Sequence, residues 1–590
     1  MNREHDRKQR PGDYEGPGRK ESVRHKEEYG AEIQTYAGEW TLIEEAECWC
    51  LEGVVYCASP CAADLQSLNL FVPKAYLAPD GSVLKDGSCG AYRAEDAPVV
   101  LQSSVMGYSE APAAVWMPHS GKPDQVMMAR MLRAGMVFVS VGVRGRQTRS
   151  GQGRYIGKSP AYLVDVKAAI RYLRHNRAML PGDMDRMFFV GVSAGGNLAA
   201  LVGTTGNSAC FDPYLRGIGA CMEEKDDVLG SCIFCPITDL EHSDMSYEWM
   251  FPQHNAGEAP AGADAVLARP DSGMCENDET DASQTGMENG VETVSGAVSE
   301  DESMDAFRAA CSEILARNYI SWFNRLDLHD PADGRLLRLH DSSEEQKGSL
   351  EAYLVKKLED SASRYLNRIG TDPAMTAASP ADYLSGNYEE NAGGPGGRGR
   401  KVPGIDKRKW LSWDGSHAHI TSLRGMEGEY LKRFKDCPSF DGLDMEYFEN
   451  EEFGTEDEER AHFDGTFSDV LEELKETFPE TCARYTRPYR DAAADARIRE
   501  QVRLLNPLYF IRENPEDTLC EHYRIRVGSR DPHTSFSTAA VLALSLQEKG
   551  KDVDFEFSWE QGHGLCDDGG LIEWIQRING EEQVRRQSVR

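Results

Sequence analysis

Short apolar segments alternate with segments of helical spacing in two separate parts of this chain. The strand-type segments are residues 65–72, 98–104, 136–143, 188–190, 232–237, 523–527 and 553–559. The helix-type segments between them are residues 126–134, 160–176, 197–203 and 537–550. Strands that alternate with helices predict a mostly parallel sheet with helices on both faces, whose ligands bind beyond the carboxyl ends of the strands.

The turn between the strand at 188–190 and the following helix has the pattern of a nucleophile elbow. It reads Gly191-Val192-Ser193-Ala194-Gly195. A serine on such a sharp turn has a strained backbone, and glycines two residues to either side leave room where a Cβ would clash. Ser193 is therefore the candidate nucleophile. The alternative is an ordinary small-residue turn between a strand and a helix.

Two backbone N–H groups are candidates for an oxyanion hole in this fold class. One is that of Ala194, because the first N–H groups of a helix point toward a developing negative charge. The other is expected in the loop 105–113 after an early strand, around Met106 and Gly107. The alternative for this loop is a simple glycine turn.

Candidate partners of Ser193 follow the last two strand-type segments. Asp531 comes after 523–527 and His563 after 553–559, which completes the chain order serine, acid, histidine of α/β-hydrolases. His563 would take the serine proton and Asp531 would orient the imidazole. Each has an alternative: Asp531 as a helix cap near Ser535, and His563 as a loop histidine.

Two other histidines compete for the role of the base. His522 precedes its strand, which places it at the wrong end of the sheet. His533 lies too close to Asp531 in sequence to serve easily as its partner. His563 therefore remains the preferred base.

Residues 251–500 differ from the flanking parts and predict a large, mainly helical lid insertion. Helical periodicity appears at 305–326, 349–369 and 468–478. Residues 252–306 lack Phe, Trp and Tyr, and their thirteen acidic residues stand against the single Arg269, which predicts a disordered acidic loop. The resulting division is a disordered tail at 1–30, a first core part at 31–250, the lid at 251–500 and a second core part at 501–590.

Composition excludes several classes of partner. The balance of 65 Lys+Arg against 98 Asp+Glu gives a formal charge of -33, which disfavours nucleic acid and anionic membranes. No apolar run approaches the roughly 18 residues of a membrane helix. The charged start of the sequence lacks the apolar middle region of a signal peptide, so we expect a cytoplasmic protein.

The 15 cysteines are odd in number and scattered, which favours reduced thiols over a disulfide framework. Cys48, Cys50, Cys57 and Cys61 form the one cluster in which zinc ligation is an alternative to buried thiols, although their spacing departs from paired C-x-x-C. The chemistry of a serine, an aspartate and a histidine requires no metal or organic cofactor.

Three motifs together resemble the bacterial tannases, the tannin acyl hydrolases of the α/β-hydrolase superfamily. They are GVSAGG around Ser193, GSRDPHTS around Asp531 and WEQGHG around His563. The resemblance extends to QSSVMGY, RGR, CPITDL and YEW, and so covers most of the core. It implies hydrolysis of galloyl esters, small phenolic substrates, with release of gallic acid.

The resemblance also implies a site for the acyl group. In that family a lysine and a glutamate of the lid bind the galloyl hydroxyls, and Lys435 and Glu449 stand at the same spacing of 14 positions. The alternative for this pair is a solvated acidic face. His533 stands where the family has a second ring-binding aspartate. The same catalytic residues would also suit a feruloyl or general carboxylesterase, and the non-enzyme alternative is an inactive hydrolase-fold binding protein.

Overall fold

A nine-stranded mixed sheet forms the centre of the molecule in the computed structural model of the chain. The structure describes residues 39–117, 121–252, 300–340, 348–392, 400–513, 518–567 and 569–589. The predicted tail at 1–30 and most of the predicted acidic loop at 252–306 lie outside these residues. In the described part, no helix combines the length and the apolarity of a membrane span.

The nine strands of the main sheet follow the spatial order β1-β2-β3-β7-β6-β8-β9-β14-β15. The strands of the described residues are β1 Thr41–Ile43, β2 Cys48–Val55, β3 Ser67–Pro73, β4 Ser88–Cys89, β5 Tyr92–Arg93, β6 Val99–Gln102, β7 Val137–Val141, β8 Met187–Val192, β9 Gly230–Phe234, β10 Glu389–Ala392, β11 Arg400–Pro403, β12 Leu411–Trp413, β13 Ala418–Ile420, β14 His522–Gly528 and β15 Asp552–Ser558. The pairs from β7 to β15 are parallel, whereas β1, β2, β3 and β7 pair antiparallel. The predicted mostly parallel sheet is thereby confirmed.

Helices flank this sheet and recur throughout the described part of the insertion. They are α1 Pro123–Arg133, α2 Ala161–His175, α3 Ala194–Thr204, α4 Asp212–Gly217, α5 Leu240–Met250, α6 Glu300–Asn324, α7 Ser349–Arg368, α8 Pro380–Ser385, α9 Leu423–Met426, α10 Phe448–Glu452, α11 Phe467–Leu474, α12 Pro479–Ala494, α13 Ala496–Leu504, α14 Pro507–Glu513, α15 Phe536–Glu548 and α16 Leu571–Val589. The α/β-hydrolase class with a helical insertion is the observed architecture.

Sequence periodicity located the buried strands well and some boundaries poorly. β9 ends at Phe234 rather than at residue 237, because Cys235 has a left-handed backbone with φ 43° and turns the chain away from the sheet. The helix predicted at 468–478 ends at Leu474, and a new helix begins at Pro479, a residue suited to the first position of a helix. β1 and β2 were not predicted.

Helices of the insertion pack directly against the core. Ser361 on α7 donates a hydrogen bond from its Oγ to the carbonyl oxygen of Phe557 at 2.7 Å and accepts one from the amide of Trp559 at 3.1 Å. These contacts satisfy backbone groups at the edge strand β15 that would otherwise be open to pairing with another chain. α6 packs against α5, where the rings of Tyr319 and Trp249 lie 5.5 Å apart. The insertion therefore covers the core as well as forming its own layer.

Helix α2 is buried along nearly its whole length, so its charged residues must find partners inside the protein. Lys167 Nζ lies 2.6 Å from Asp226 Oδ1, and Arg171 Nη2 lies 2.6 Å from Asp226 Oδ2. The Asp226 side chain is 1 % exposed. A single carboxylate thus pairs with two buried cations.

Asp226→Asn is expected to lower the free energy of unfolding by about 3–5 kcal/mol, because it leaves two buried cations without their counter-charge. Urea unfolding followed by tryptophan fluorescence measures the change. The control is Asp227→Asn next to it, which pairs with Arg174 but is 44 % exposed and should cost about 1 kcal/mol or less. Equal losses in the two variants would contradict this account.

Candidate active site

Ser193 occupies a strained turn between β8 and α3. Its backbone has φ 62° and ψ -122°, a combination that non-glycine residues rarely adopt. The turn is so tight that a Cβ on Gly191 would lie 1.8 Å from the carbonyl oxygen of Gly195. The glycine at 191 is therefore required by space, and the local geometry is that of a nucleophile elbow.

The candidate oxyanion donors lie around this turn. Ala194 is the first residue of α3, so its N–H has no acceptor within the helix. The loop after β6 packs against the same turn, since a Cβ on Gly195 would lie 3.3 Å from the carbonyl oxygen of Val105. Gly107 in this loop has φ 52°, and a Cβ there would meet the Phe448 ring at 3.0 Å. Val105 of this loop thus lies against the serine turn, and the donor role of the Ala194 and Gly107 amides stays a prediction.

Asp531 and His563 meet at the carboxyl ends of the neighbouring strands β14 and β15. His563 Nδ1 lies 2.9 Å from Asp531 Oδ2 and 3.1 Å from Oδ1. The carboxylate can only accept, so Nδ1 is the donor and Nε2 is left to face other groups. Asp531 does not cap the next helix, because Ser535 does so by accepting a hydrogen bond from the Ser537 amide.

The charges of this pair stabilise each other. Burial by itself would raise the pKa of Asp531, but His563 and the amide of His533 hold it below its ordinary value. Burial by itself would lower the pKa of His563, but the Asp531 carboxylate raises it to about 10. The Asp531 carboxylate therefore favours the protonated form of the imidazole.

Cys235 connects the serine turn to the histidine. The amide of Ser193 donates a hydrogen bond to the carbonyl oxygen of Phe234 at 3.0 Å, and Cys235 is the next residue. Its Sγ forms a group with Asp531 and His563 in which the candidate ligand atoms all lie within 4.8 Å of one another. No hydrogen bond between Ser193 Oγ and His563 is present among the described residues. Such a bond is often loose in ligand-free enzymes and tightens when substrate binds.

Lys435 and Glu449 form a buried pair next to these residues. Lys435 Nζ lies 3.2 Å from Glu449 Oε1, and the two side chains are 12 % and 9 % exposed, so they are not part of a solvated face. Burial lowers the pKa of Lys435, although Glu449 and the more distant Asp531 act in the opposite direction. The Lys435 ammonium also lies over the ring of Phe440, 3.4 Å from its centroid.

His533 lies against His563 and against Phe434, the residue before Lys435. The centroid of its ring is 4.6 Å from that of His563 and 4.5 Å from that of Phe434. Burial, together with the nearby His563 and Lys435, lowers the pKa of His533 to about 4. A neutral imidazole thus stands where the family resemblance places an aspartate. His522, the other competing base, lies at the opposite end of β14 and pairs with Asp552 at 2.8 Å.

Helix α5 anchors the segment that carries Lys435, which the sequence alone did not reveal. The Tyr247 hydroxyl donates to the carbonyl oxygen of Pro532 at 2.7 Å and accepts from the amides of Phe434 and Lys435 at 3.1 and 3.3 Å. One hydroxyl therefore joins this segment to the loop of Asp531. The YEW motif, which contains Tyr247, was the available signal in the sequence. A short motif does not show which residues far along the chain its side chains contact.

Two buried carboxylates on the same helix complete the anchor. Glu248 accepts from Arg433 Nη1 and Nη2, both at 2.7 Å. Asp244 accepts from the amides of Phe440 at 2.7 Å and Asp441 at 3.1 Å. The position of Lys435 is thereby set by the core rather than by the lid alone.

The cysteines considered as zinc ligands do not converge. Cys48 and Cys50 lie on β2, Cys57 is buried and Cys61 is exposed. All four are among the described residues, and no three of them bring their Sγ atoms within 4.8 Å of one another. Burial raises the pKa of Cys48 to about 12, as expected for an inert thiol.

Comparisons with known proteins agree with this architecture. A family model described as BD-FAE matches residues 114–266. The solved tannin acyl hydrolase of Lactobacillus plantarum is 28% identical, with a TM-score of 0.66, over 90% of this chain and 94% of that chain. The tannase of Fusobacterium nucleatum is also 28% identical, with a TM-score of 0.65, over 90% and 95%. The chain is an α/β-hydrolase that resembles the bacterial tannases.

Two further matches bear on activity. The esterase LipQ of Mycobacterium tuberculosis is 28% identical over 157 residues, which cover 26% of this chain and 32% of that esterase. A tannin acyl hydrolase in complex with ethyl gallate is 28% identical, with a TM-score of 0.65, over 90% of this chain and 94% of that chain. Together these relatives indicate that this tannase-like chain is a hydrolase of the carboxylesterase type.

In this tannase-like chain the NMR signals of His563 are expected to titrate near pH 10, because the Asp531 carboxylate stabilises the imidazolium. Asp531→Asn removes that charge, so burial dominates and the pKa should fall below about 6.5. Histidine-selective isotope labelling with a pH titration measures both values. Asp552→Asn, which alters the pairs with His522 and Arg577 at the opposite end of β14, should leave the His563 titration unchanged. Identical titrations of His563 with and without Asp531 would refute the pairing.

Proposed function

We propose that this protein is a serine carboxylesterase that hydrolyses esters of polyhydroxylated benzoic acids, with galloyl esters as the preferred class. The observation that carries the proposal is the buried Lys435–Glu449 pair, which lies beside the cluster of Asp531, His533 and His563. A buried ammonium next to a buried carboxylate offers a donor and an acceptor to adjacent phenolic hydroxyls. A ring without hydroxyls would leave both groups unsatisfied.

The proposed reaction begins at Ser193. The neutral form of His563 accepts the hydroxyl proton while Ser193 Oγ attacks the ester carbonyl carbon, and the backbone N–H groups of Ala194 and Gly107 stabilise the oxyanion. Collapse of this intermediate breaks the ester C–O bond, and His563 returns the proton to the leaving alcohol. Asp531 holds the imidazole and stabilises its cationic form.

Water then completes the cycle. It attacks the acyl group on Ser193, with His563 again accepting the proton, and the second collapse releases the carboxylic acid and restores the serine. No step of this sequence calls for a metal or an organic cofactor. Because only the neutral imidazole accepts a proton, kcat/KM should rise with pH until His563 is deprotonated.

His533 is the observation that favours a second candidate. A neutral imidazole in the acyl site neither repels a methoxy group nor supplies the negative charge of a carboxylate. The second candidate is therefore a feruloyl or general carboxylesterase that uses the same catalytic residues. Comparison of methyl gallate with methyl ferulate distinguishes the two.

Ser193→Ala should abolish hydrolysis of methyl gallate, methyl ferulate and methyl benzoate alike, and a fluorophosphonate probe should label the wild type only. The wild type should prefer gallate over benzoate by about 10- to 100-fold in kcat/KM, which corresponds to one or two unsatisfied buried polar groups. Ferulate as the best substrate would support the second candidate. Absence of both labelling and turnover in the wild type would overturn the esterase proposal.

Glu449→Gln should lower kcat/KM for methyl gallate by about 10- to 100-fold and leave methyl benzoate within about threefold, because only the phenolic hydroxyls use the carboxylate. The matched control is Glu446→Gln, an exposed residue of the same segment, which should change neither rate. Lys435→Met should show the same selectivity. Equal losses on both substrates would assign the pair a structural role instead.

A further inference from the structure

An ionic cluster around the buried Lys407 joins the loops that carry Asp531 and His563. The acid loop comprises residues 529–533 after β14, and the base loop comprises residues 559–564 after β15. The cluster contains Arg530 from the acid loop, Glu560 from the base loop, and Glu390 and Lys407 from the insertion. The proposed reaction uses none of these four residues.

The charges of the cluster are balanced, with two cations facing two carboxylates. Arg530 Nη1 lies 2.9 Å from Glu390 Oε2 and 3.0 Å from Glu560 Oε2. Lys407 Nζ lies 3.5 Å from Glu560 Oε1 and 4.0 Å from Glu390 Oε1. The Lys407 side chain is 0 % exposed, so removal of its charge would leave an uncompensated negative charge in the interior.

Tyrosines of the insertion hold the same two loops. The Tyr383 hydroxyl accepts a hydrogen bond from Trp559 Nε1 at 2.7 Å and donates one to Glu560. The Tyr430 hydroxyl lies 2.8 Å from Ser529 Oγ, which in turn accepts from the Glu560 amide at 2.9 Å. Lys407 Nζ lies 4.2 Å from the centroid of the Tyr383 ring.

These contacts hold residues that neighbour Asp531 and His563 in the chain. Arg530 precedes Asp531, and its amide donates to the carbonyl oxygen of Gln561 at 2.9 Å. Glu560 is three residues before His563 and has φ 62°, a conformation that needs support from its surroundings. A shift of either loop would change the geometry of the imidazole and the carboxylate together.

We propose that Lys407 is a positioning residue through which the insertion aligns the acid loop and the base loop for catalysis. Together with Arg530, Lys407 balances the negative charges of Glu560 and Glu390. This balance keeps Asp531 and His563 within hydrogen-bonding distance. The proposal rests on the proposed function. Its alternative is a cluster that contributes to stability only, and the experiment is built to separate the two.

The test compares Lys407→Met with Lys167→Met. Lys167 is an equally buried lysine, 1 % exposed, and its ammonium bonds Thr205 and Asp226, next to Arg171, away from both loops. Each substitution removes one buried ammonium, after which Arg530 faces two carboxylates and Arg171 faces Asp226. The two variants are therefore matched in the burial and the charge of the side chain that is removed, and they differ in contact with the two loops and in the charge that remains.

Lys407→Met should lower kcat by about 10- to 100-fold, since small misplacements of catalytic groups have effects of that size. KM should change by no more than about twofold, since Lys435 and Glu449 are untouched. The acid limb of the kcat/KM profile should move to lower pH, because a looser contact with Asp531 lets burial dominate the pKa of His563. The other titratable groups near His563 are Cys235 and His533, with Lys435 beyond His533.

Lys167→Met should keep the wild-type kcat and pH profile per folded molecule. A second substitution restores charge balance: Glu390→Gln combined with Lys407→Met should recover part of the lost kcat. Equal kinetic losses in the Lys407 and Lys167 variants, or an unchanged pH profile for Lys407→Met, would overturn the proposal.

Two further measurements test the positioning role if Lys407→Met does not fold or if the wild type hydrolyses no ester. If Lys407→Met does not fold, Tyr430→Phe, which removes only the hydroxyl that contacts Ser529, should show the same shift of the acid limb in weaker form. If the wild type hydrolyses no ester, the proposed function fails, but the downfield Nδ1 proton of His563 still reports on alignment. That signal should be lost in Lys407→Met and kept in Lys167→Met, and its retention in both would overturn the positioning role.

Discussion

Parallel pairing of neighbouring strands is the constraint on which the site depends. β8, β9, β14 and β15 lie side by side and run in the same direction, so the loops at their carboxyl ends meet at one edge of the sheet. Ser193, Cys235, Asp531 and His563 each follow one of these strands. Residues far apart in the chain are thereby brought together without any direct constraint between them.

Pairing of buried charge then determines how the insertion sits on this edge. Asp244 and Glu248 on α5 bind the segment before and after Lys435, and the Tyr247 hydroxyl ties it to Pro532. A carboxylate taken out of water is tolerated only where donors surround it, so these residues accept few alternative arrangements. The buried Lys407 likewise requires a partner of opposite charge, and it contacts Glu560 in the base loop. The Lys435–Glu449 pair and the loops that carry Asp531 and His563 are thus held by ionic contacts from α5 and from the insertion.

The elements that could be predicted were those with a strong local signal. Buried strands such as β7 and β8 are continuous apolar runs, and the elbow combines glycine spacing with a strand-to-helix change, so both were visible in the sequence. β1 is a three-residue edge strand, and β2 is interrupted at Glu52 and Gly53, so neither gives a clear alternation of polar and apolar residues. The prediction placed the end of α11 at residue 478, just before Pro479, because a proline usually ends a helix at the preceding residue. α11 instead ends at Leu474, and Pro479 begins α12.

The sequence by itself determined the α/β-hydrolase class, the identity of the elbow serine and the order of its candidate partners, because hydrophobic periodicity and turn chemistry are local properties. Only the tertiary structure decided that Lys435 and Glu449 are buried together, that the His533 ring lies against His563 and Phe434, and that Lys407 contacts Glu560 in the base loop. Burial and charge pairing depend on which distant segments pack together, and the spacing of residues along the chain carries no record of that packing.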